Sequence, residues 1–201
     1  MSRTEKTLEF IFDFGSPNAY LAYRVIPAIL ERTGASLKLN PCLLGGIFKA
    51  TGNQAPMIAF GGIKGKMAYE MLETRRFVEK HELTRFRMNP HFPVNTLMIM
   101  RGAAAAELSG RLIPYVETVL PAMWEDGLKM DDPAVVQGVL DKAGLGDLAP
   151  RTQDDAVKAK LMANTQAAVD RGVFGIPTFF VGEEMFFGKE RLGQVEEALG
   201  G

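Results

Sequence analysis

The chain has 201 residues, of which 47% are hydrophobic and 23% are charged, and its formal net charge is −1. This composition is typical of a soluble globular protein, and the near-neutral charge gives no indication of nucleic acids or anionic membranes as partners. No apolar stretch approaches the roughly 20 residues of a membrane-spanning helix. The first residues lack a secretory signal, and Cys42 is the single cysteine. We therefore expect a cytoplasmic protein without an internal disulfide.

The amino-terminal part has the pattern of a strand, a helix and a second strand. Residues 7–14, TLEFIFDF, alternate in polarity and are rich in phenylalanine, which is typical of a half-buried strand. A helix is predicted over 17–33, with a kink or interruption at Pro27 and an end at Gly34. Residues 35–44, ASLKLNPCLL, are predicted as a strand. This order indicates a βαβ unit and hence a parallel pair of strands.

The centre of the chain is predicted to be mostly helical. A glycine-rich loop over 45–65 contains about one helical turn, at 47–50. A loop with Pro and Asn over 84–95 separates the first long helix from the next. Helical periodicity or helix boundary signals predict the remaining central helices at 66–83, 96–110, 111–127, 132–144 and 154–171.

The carboxyl-terminal part returns to strands. Residues 174–188, FGIPTFFVGEEMFFG, indicate a strand, a tight turn and a strand, and a short helix follows. Neither end of the chain alone covers both faces of a sheet. Together they predict an α/β fold with a four-stranded sheet, βαβ…ββα, carrying a large helical insertion. The predicted domains are a sheet domain of residues 1–45 and 160–201 and an inserted helical domain of residues 46–159.

Two short motifs flank this insertion. Ser16 and Pro17 suit the N-cap and the first position of a helix, so a capping serine is the simplest interpretation of the first motif. Pro177 lies at the start of a strand expected to be central in the sheet, where a trans proline is tolerated and is commoner than a cis one.

The chain as a whole resembles the disulfide-oxidoreductase type of thioredoxin-like protein. The resemblance rests on the order of elements, the motif F-D-F-x-S-P and the downstream strand G-I-P-T-F-F. In those proteins the first helix opens with Cys-Pro-x-Cys, whereas this chain has S-P-N-A over 16–19. Both thiols are absent, which excludes dithiol redox chemistry.

A serine at this position is typical of the kappa-class glutathione transferases. The chain is most similar to their bacterial relatives, the 2-hydroxychromene-2-carboxylate isomerases. The similarity lies in the segments DFGSPNAYLA, LLGGIFKATGN, NPHFPVNT and RGVFGIPTFFVGEEMFFGKERL.

This resemblance implies a thioredoxin-like fold and glutathione as the cofactor. Ser16 and the start of its helix would hold the glutathione sulfur and would be the catalytic element. The backbone of Ile176, before a cis Pro177, would pair with the glutathione peptide. Lys189 and Glu190 would bind its γ-glutamyl group, with glutamate standing where the family has aspartate.

Three further residues are candidates for substrate binding. Lys49 and Asn53 match the family's cleft segment, and Lys49 would pair with a substrate carboxylate. Phe92 lies in the segment that would form the opposite wall of the cleft, with His91 and Asn95. The alternative interpretations are a solvated lysine and residues that only shape a loop.

The activity implied is a glutathione-dependent cis–trans isomerisation of 2-hydroxychromene-2-carboxylate-type aromatic acids, through reversible addition of the glutathione thiolate. Such chemistry belongs to aromatic compound degradation, and relatives of this kind form homodimers. One alternative is a kappa-like glutathione transferase or peroxidase acting on other electrophiles. The other is a non-catalytic module that binds peptides in the groove beside Pro177.

Several residues are not expected to take part in chemistry. Cys42 lies at an apolar strand end and is interpreted as a buried small side chain. His81 and His91 are not surrounded by a pattern of metal ligands, so no metal site is predicted. Trp124 and the methionines fall at helical spacing and are expected in the core.

Overall fold

A computed structural model describes residues 6–201, and a mixed four-stranded sheet lies at its centre. The strand order is β2-β1-β3-β4, with β1 parallel to β2 and antiparallel to β3, which is antiparallel to β4. The strands are β1 (Thr7–Phe12), β2 (Ser36–Pro41), β3 (Thr178–Val181) and β4 (Glu184–Phe187). The predicted sheet and its parallel βαβ pair are thereby confirmed.

Ten α-helices and one short 3-10 helix (Lys189–Arg191) are present in the described part of the chain. One helix lies between β1 and β2, eight lie between β2 and β3, and one follows the 3-10 helix. They are α1 (Pro17–Thr33), α2 (Leu44–Thr51), α3 (Pro56–Phe60), α4 (Lys66–Lys80), α5 (Leu97–Leu108), α6 (Leu112–Trp124), α7 (Pro133–Lys142), α8 (Leu148–Arg151), α9 (Asp155–Asp170) and α10 (Leu192–Leu199). No helix within residues 6–201 is long and apolar enough to cross a membrane.

The boundaries of α1 follow local signals. Pro17 occupies the first turn, and Gly34 ends the helix with a φ of 70° and donates its N–H to the Leu30 carbonyl. A positive φ of this size favours glycine because it has no Cβ. Pro27 lies inside the helix, which continues past it, so the helix is not interrupted there and a kink stays a prediction.

The region after β2 differs from the prediction. The strand ends at Pro41, and α2 begins at Leu44 rather than at residue 47. No side chain next to Leu44 caps this helix. Instead the Leu44 N–H donates to Asp13 Oδ2 at 2.8 Å, across 31 positions of the chain. The short helices α3 and α8 were also not predicted.

The hydrophobic core is shared by the sheet and the central helices. Phe10 of β1 stacks on Phe179 of β3 at 5.3 Å between ring centroids. Trp124, at the end of α6, is fully buried as predicted, and its indole N–H donates to the Phe14 carbonyl at 2.8 Å. This bond fixes the central helices to the loop that follows β1.

The methionines do not share one environment. Met100, Met123 and Met130 are fully buried, as predicted. The prediction is wrong for others, because helical spacing does not reveal which face of a helix is covered and because two of them lie outside helices. The exposed methionines are Met57, Met71, Met88, Met162 and Met185.

Candidate active site

Ser16 is the N-cap of α1 and is 5% exposed. Its backbone is extended, with a φ of −97° and a ψ of 111°, and its Oγ accepts a hydrogen bond from the Ala19 N–H at 3.1 Å. Pro17 follows at the start of the helix, where its missing N–H removes no helical bond. The hydroxyl oxygen therefore caps the helix, while its proton remains available to an acceptor.

The nearest acceptor comes from the other end of the chain. Ser16 Oγ donates to the Ile176 carbonyl at 3.4 Å, and the bond between Ile176 and Pro177 is cis. The two segments meet because β1 and β3 are neighbours, with Ile11 paired to Thr178. The general preference for a trans proline is wrong here, and the cis bond implied by the family resemblance is confirmed.

Asn53 contacts the loop that leads to this cis proline. Its side-chain amide donates to the Phe174 carbonyl at 2.8 Å. Lys49, in the last turn of the preceding helix α2, is exposed and forms no ion pair with residues 6–201. The segment after α2 is thus tied to the Ile176 loop, whereas the Lys49 ammonium is free to move.

Lys189 and Glu190 directly follow Gly188, which contacts the cis proline. The Gly188 N–H donates to the Pro177 carbonyl at 2.9 Å, which places the 3-10 helix directly after this contact. Lys189 is 3% exposed, and its ammonium pairs with the exposed Glu190 carboxylate and lies 5.4 Å from the Phe77 ring centroid. The lysine is therefore already engaged within the protein.

Phe92 lies on the side of the site formed by the central helices. Its ring packs on Trp124 at 6.0 Å between centroids, and Trp124 holds the Phe14 carbonyl two residues before Ser16. The bond between Phe92 and Pro93 is a second cis peptide, which was not predicted.

Asp13 is a buried charged residue that the sequence reasoning missed. It is 1% exposed, and its carboxylate accepts from the Gly15 N–H and from the Leu44 N–H, each at 2.8 Å. Burial raises the pKa of this carboxyl above its usual value, although these two bonds oppose the change. Asp13 joins the Ser16 loop to the start of α2. The sequence signal for a buried Asp13 is its position between two phenylalanines at the end of the predicted strand.

Cys42 does not supply a thiol to this site. The residue is fully buried, and its Sγ donates to the Asn164 carbonyl at 3.4 Å. Burial and nearby carboxylates raise the pKa of the thiol, which keeps it protonated and unreactive. Its interpretation as a buried small side chain is confirmed. Within residues 6–201 no cluster of three or more His, Cys, Asp and Glu side chains is arranged to hold a metal.

The arrangement suits an anion brought from outside the protein. The start of α1 carries a partial positive charge, and the Ser16 hydroxyl has a proton to donate beside it. Nucleophilic chemistry at this position requires an external nucleophile, because Ser16 has no adjacent general base among its hydrogen-bond partners.

Comparison with known proteins identifies the family. Residues 7–200 match the DsbA-like thioredoxin domain. A 2-hydroxychromene-2-carboxylate isomerase of Pseudomonas sp. (strain C18) is 32% identical over 201 residues, covering 96% of this chain and 90% of that protein. The chain belongs to the DsbA-like thioredoxin family, among the 2-hydroxychromene-2-carboxylate isomerases.

Two further comparisons agree with the assignment of the chain to this family. Glutathione S-transferase kappa 1 of Rattus norvegicus is 26% identical over 213 residues, covering 100% of this chain and 93% of that protein. A solved structure of a 2-hydroxychromene-2-carboxylate isomerase superposes with a TM-score of 0.80 at 27% identity, covering 96% of this chain and 94% of that one. The family resemblance and the thioredoxin-like fold are confirmed. The chain is an enzyme, so the interpretation as a non-catalytic module loses its support.

Proposed function

We propose that this enzyme isomerises 2-hydroxychromene-2-carboxylate-type aromatic acids and that glutathione is its cofactor. The observation that carries the proposal is the position of Ser16, whose hydroxyl sits at the start of α1 beside the carbonyl that precedes the cis Pro177. The relatives named as isomerases and as a glutathione transferase support the choice of reaction and of cofactor.

The contacts of Ser16 fit a role in activating a bound thiol. Its donated bond to Ile176, at 3.4 Å, is longer than a typical O–H···O bond, so the proton is readily redirected to a better acceptor. A hydrogen bond to a charged group contributes about 1.5–3 kcal/mol, and a helix start about 0.3–1 kcal/mol. Together these lower the pKa of the glutathione thiol by about 1–3 units, so that much of it is thiolate at neutral pH.

The segments around the cis proline would hold the rest of the glutathione molecule. The Ile176 N–H forms no hydrogen bond within residues 6–201, so it is free to pair with the glutathione peptide. The exposed Glu190 carboxylate would bind the γ-glutamyl ammonium, and the buried Lys189 would orient that carboxylate. The family resemblance implies Lys49 as the cation for the substrate carboxylate, and Asn53 and Phe92 would shape the cleft.

The reaction returns glutathione unchanged. Bound glutathione would supply a thiolate that adds reversibly to a double bond conjugated with the carbonyl of the ring-opened substrate, so that this bond could rotate before the thiolate is released. The Ser16 hydroxyl would donate a hydrogen bond to the sulfur and stabilise its negative charge before addition and after release.

The first prediction concerns Ser16→Ala. The variant loses the hydrogen bond to the sulfur, so we expect the pKa of the bound glutathione thiol to rise by about 1–2 units and turnover at neutral pH to fall. Asp132→Ala is a matched control, because Asp132 caps α7 before Pro133 in the same way, at 2.9 Å from the Ala134 N–H. Each variant loses about 1 kcal/mol of stability, and only Ser16→Ala changes the thiol.

The measurement is the ultraviolet absorbance of bound thiolate as a function of pH, together with thermal melting. Glutathione at about 100 times its dissociation constant stabilises the wild-type protein by about 2.7 kcal/mol. A melting curve unaffected by glutathione, or an unchanged thiol pKa in Ser16→Ala, contradicts the proposal.

A kappa-like transferase is the second candidate, because the Rattus norvegicus transferase matches this chain over its whole length. The two reactions differ in stoichiometry. An isomerase leaves the total concentration of glutathione thiol constant through many turnovers, whereas a transferase or peroxidase consumes it. Titration of free thiol during the reaction separates the two.

A further inference from the structure

A polar cavity lies at the start of α5 and includes Asn95, one of the residues predicted for the wall of the cleft. Its volume is about 350 Å³, which falls within the range of small-molecule sites. Two of its lining residues are apolar and four are polar or charged. They are Asn95, Leu97, Met98, Arg101, Asp131 and Gln153.

Arg101 supplies an unsatisfied donor to this cavity. Its Nε is buried and has no hydrogen-bond partner, and its guanidinium forms no ion pair with residues 6–201. Buried polar groups normally have partners, so an unpaired one in a cavity indicates a missing acceptor. The guanidinium fork matches the geometry of a carboxylate, and the side-chain amide N–H groups of Asn95 are also free in the described part of the chain.

Asp131 supplies an acceptor to the same cavity. Its Oδ1 is buried, accepts no hydrogen bond from residues 6–201 and forms one long ion pair, with the Lys129 ammonium at 3.5 Å. A ligand that satisfies both residues carries a carboxylate for Arg101 and a hydroxyl or N–H for Asp131. An aromatic hydroxy acid has both groups, and Leu97 and Met98 provide apolar surface for its ring.

The position of the cavity connects it to the Ser16 loop. Asn95 and Leu97 flank Thr96, and a methyl group at Gly15 would lie 3.0 Å from Thr96 Cγ2. Gly15 immediately precedes Ser16. Side chains on a helix lean towards its amino terminus, which directs Arg101 back towards Asn95 and the start of α5.

We propose that this cavity binds the acid end of the substrate, with Arg101 and Asn95 on the carboxylate and Asp131 on the hydroxyl. The inference deepens the proposed function and rests on it for the identity of the substrate. It makes Arg101, rather than the exposed Lys49, the cation that selects for acids. A half-buried guanidinium is screened less by water than an exposed ammonium and holds two oxygens at once.

The test measures binding without catalysis, by calorimetry with three probes. Mandelate carries a carboxylate and a hydroxyl, phenylacetate lacks the hydroxyl, and mandelamide lacks the charge. In the wild-type protein we expect mandelate to bind most tightly. Arg101→Gln should weaken the binding of mandelate and phenylacetate at least tenfold, about 1.4 kcal/mol, and leave the affinity for mandelamide unchanged. Asp131→Asn should abolish the preference for mandelate over phenylacetate.

Two control variants test whether the effect on binding is specific to Arg101. Arg111→Gln removes another arginine, which pairs with Asp147 away from the cavity, and should bind all three probes normally. Lys49→Gln tests whether the Lys49 ammonium, rather than Arg101, binds the carboxylate. Absence of mandelate binding to the wild-type protein, normal binding by Arg101→Gln, or a larger loss in Lys49→Gln overturns the inference. Failure of the Ser16→Ala prediction overturns the proposed function and leaves these binding results unaffected.

Discussion

Asp13 and Ser16 show how a few side chains hold the candidate site together. The two carboxylate oxygens of Asp13 accept from Gly15 on one side and from Leu44 on the other. The Ser16 hydroxyl links the start of α1 to Ile176. Three segments far apart in sequence are thereby joined through two small polar residues, and a buried carboxylate is retained although burial disfavours its charge.

The pH dependence of stability tests the state of Asp13. Its pKa is raised in the folded protein, so its contribution to stability is fully present below the unfolded pKa and is lost as pH rises through the folded pKa. Asn does not titrate. We therefore expect the unfolding free energy of the wild-type protein, relative to Asp13→Asn, to increase as pH falls from about 7 to about 4.

Asp147→Asn is the matched control, measured by urea denaturation across the same pH range. The Arg111 guanidinium beside Asp147 lowers the pKa of that exposed carboxyl, so its contribution to the unfolding free energy depends on pH with the opposite sign. The contribution of Asp147 is present above its unfolded pKa, so the wild-type protein should change little relative to Asp147→Asn from about pH 7 to about pH 4. It should lose stability relative to that variant mainly below about pH 4. If wild type and Asp13→Asn respond equally to pH, Asp13 does not titrate differently in the folded and unfolded states.

At the scale of elements, α5 and α6 pack closely because one of them lacks a side chain at the contact. A methyl group at Gly102 would lie 2.0 Å from the Tyr115 hydroxyl oxygen, which donates to the Ile99 carbonyl at 2.9 Å. The glycine therefore admits a fully buried tyrosine whose hydroxyl is satisfied on α5 itself. This contact fixes α5, which carries Thr96 and Arg101 at its start.

Gly102→Ala tests this packing. The added methyl group forces Tyr115 away from its hydrogen bond, and we expect a loss of about 1–3 kcal/mol in the free energy of unfolding. Gly138→Ala is the control, because Gly138 lies within α7 and a methyl group there meets nothing within 4 Å. That change should stabilise the protein by about 0.5–1 kcal/mol. Equal effects of the two substitutions in urea denaturation would refute the packing argument.

At the scale of the whole molecule, the sheet and the central helices share one hydrophobic core. Within residues 6–201 the buried hydrophobic residues form one cluster that includes Phe10 and Phe179 of the sheet and Tyr115 and Trp124 of α6. The division into a domain of residues 1–45 and 160–201 and an insertion of residues 46–159 stays a prediction. A shared core favours joint unfolding of the two parts even where the division is correct.

Trp124 is the single tryptophan and lies where the two parts meet, so its fluorescence reports their contact. We expect its denaturation curve to coincide with that of the far-ultraviolet circular dichroism, which follows all helices. A tryptophan transition at lower denaturant than the loss of helix would show that the parts separate before they unfold.

The sequence by itself determined the sheet, the main helices and the family. The alternation of apolar and polar residues predicted β1. Ser16–Pro17 and Gly34 predicted the two ends of α1, because helix ends depend on neighbouring residues. The start of α2 was missed because its capping carboxylate, Asp13, lies 31 positions upstream.

Only the tertiary structure decided the state of the site. It buried Lys189 against Phe77 of α4, placed Asn53 on the Phe174 carbonyl, and brought Arg101 and Asp131 to one cavity. Hydrophobic periodicity and helix capping depend on residues a few positions apart and can be recognised in the sequence. Burial, ion pairing and cavity shape depend on which distant segments the packed core brings into contact, and no local pattern records that choice.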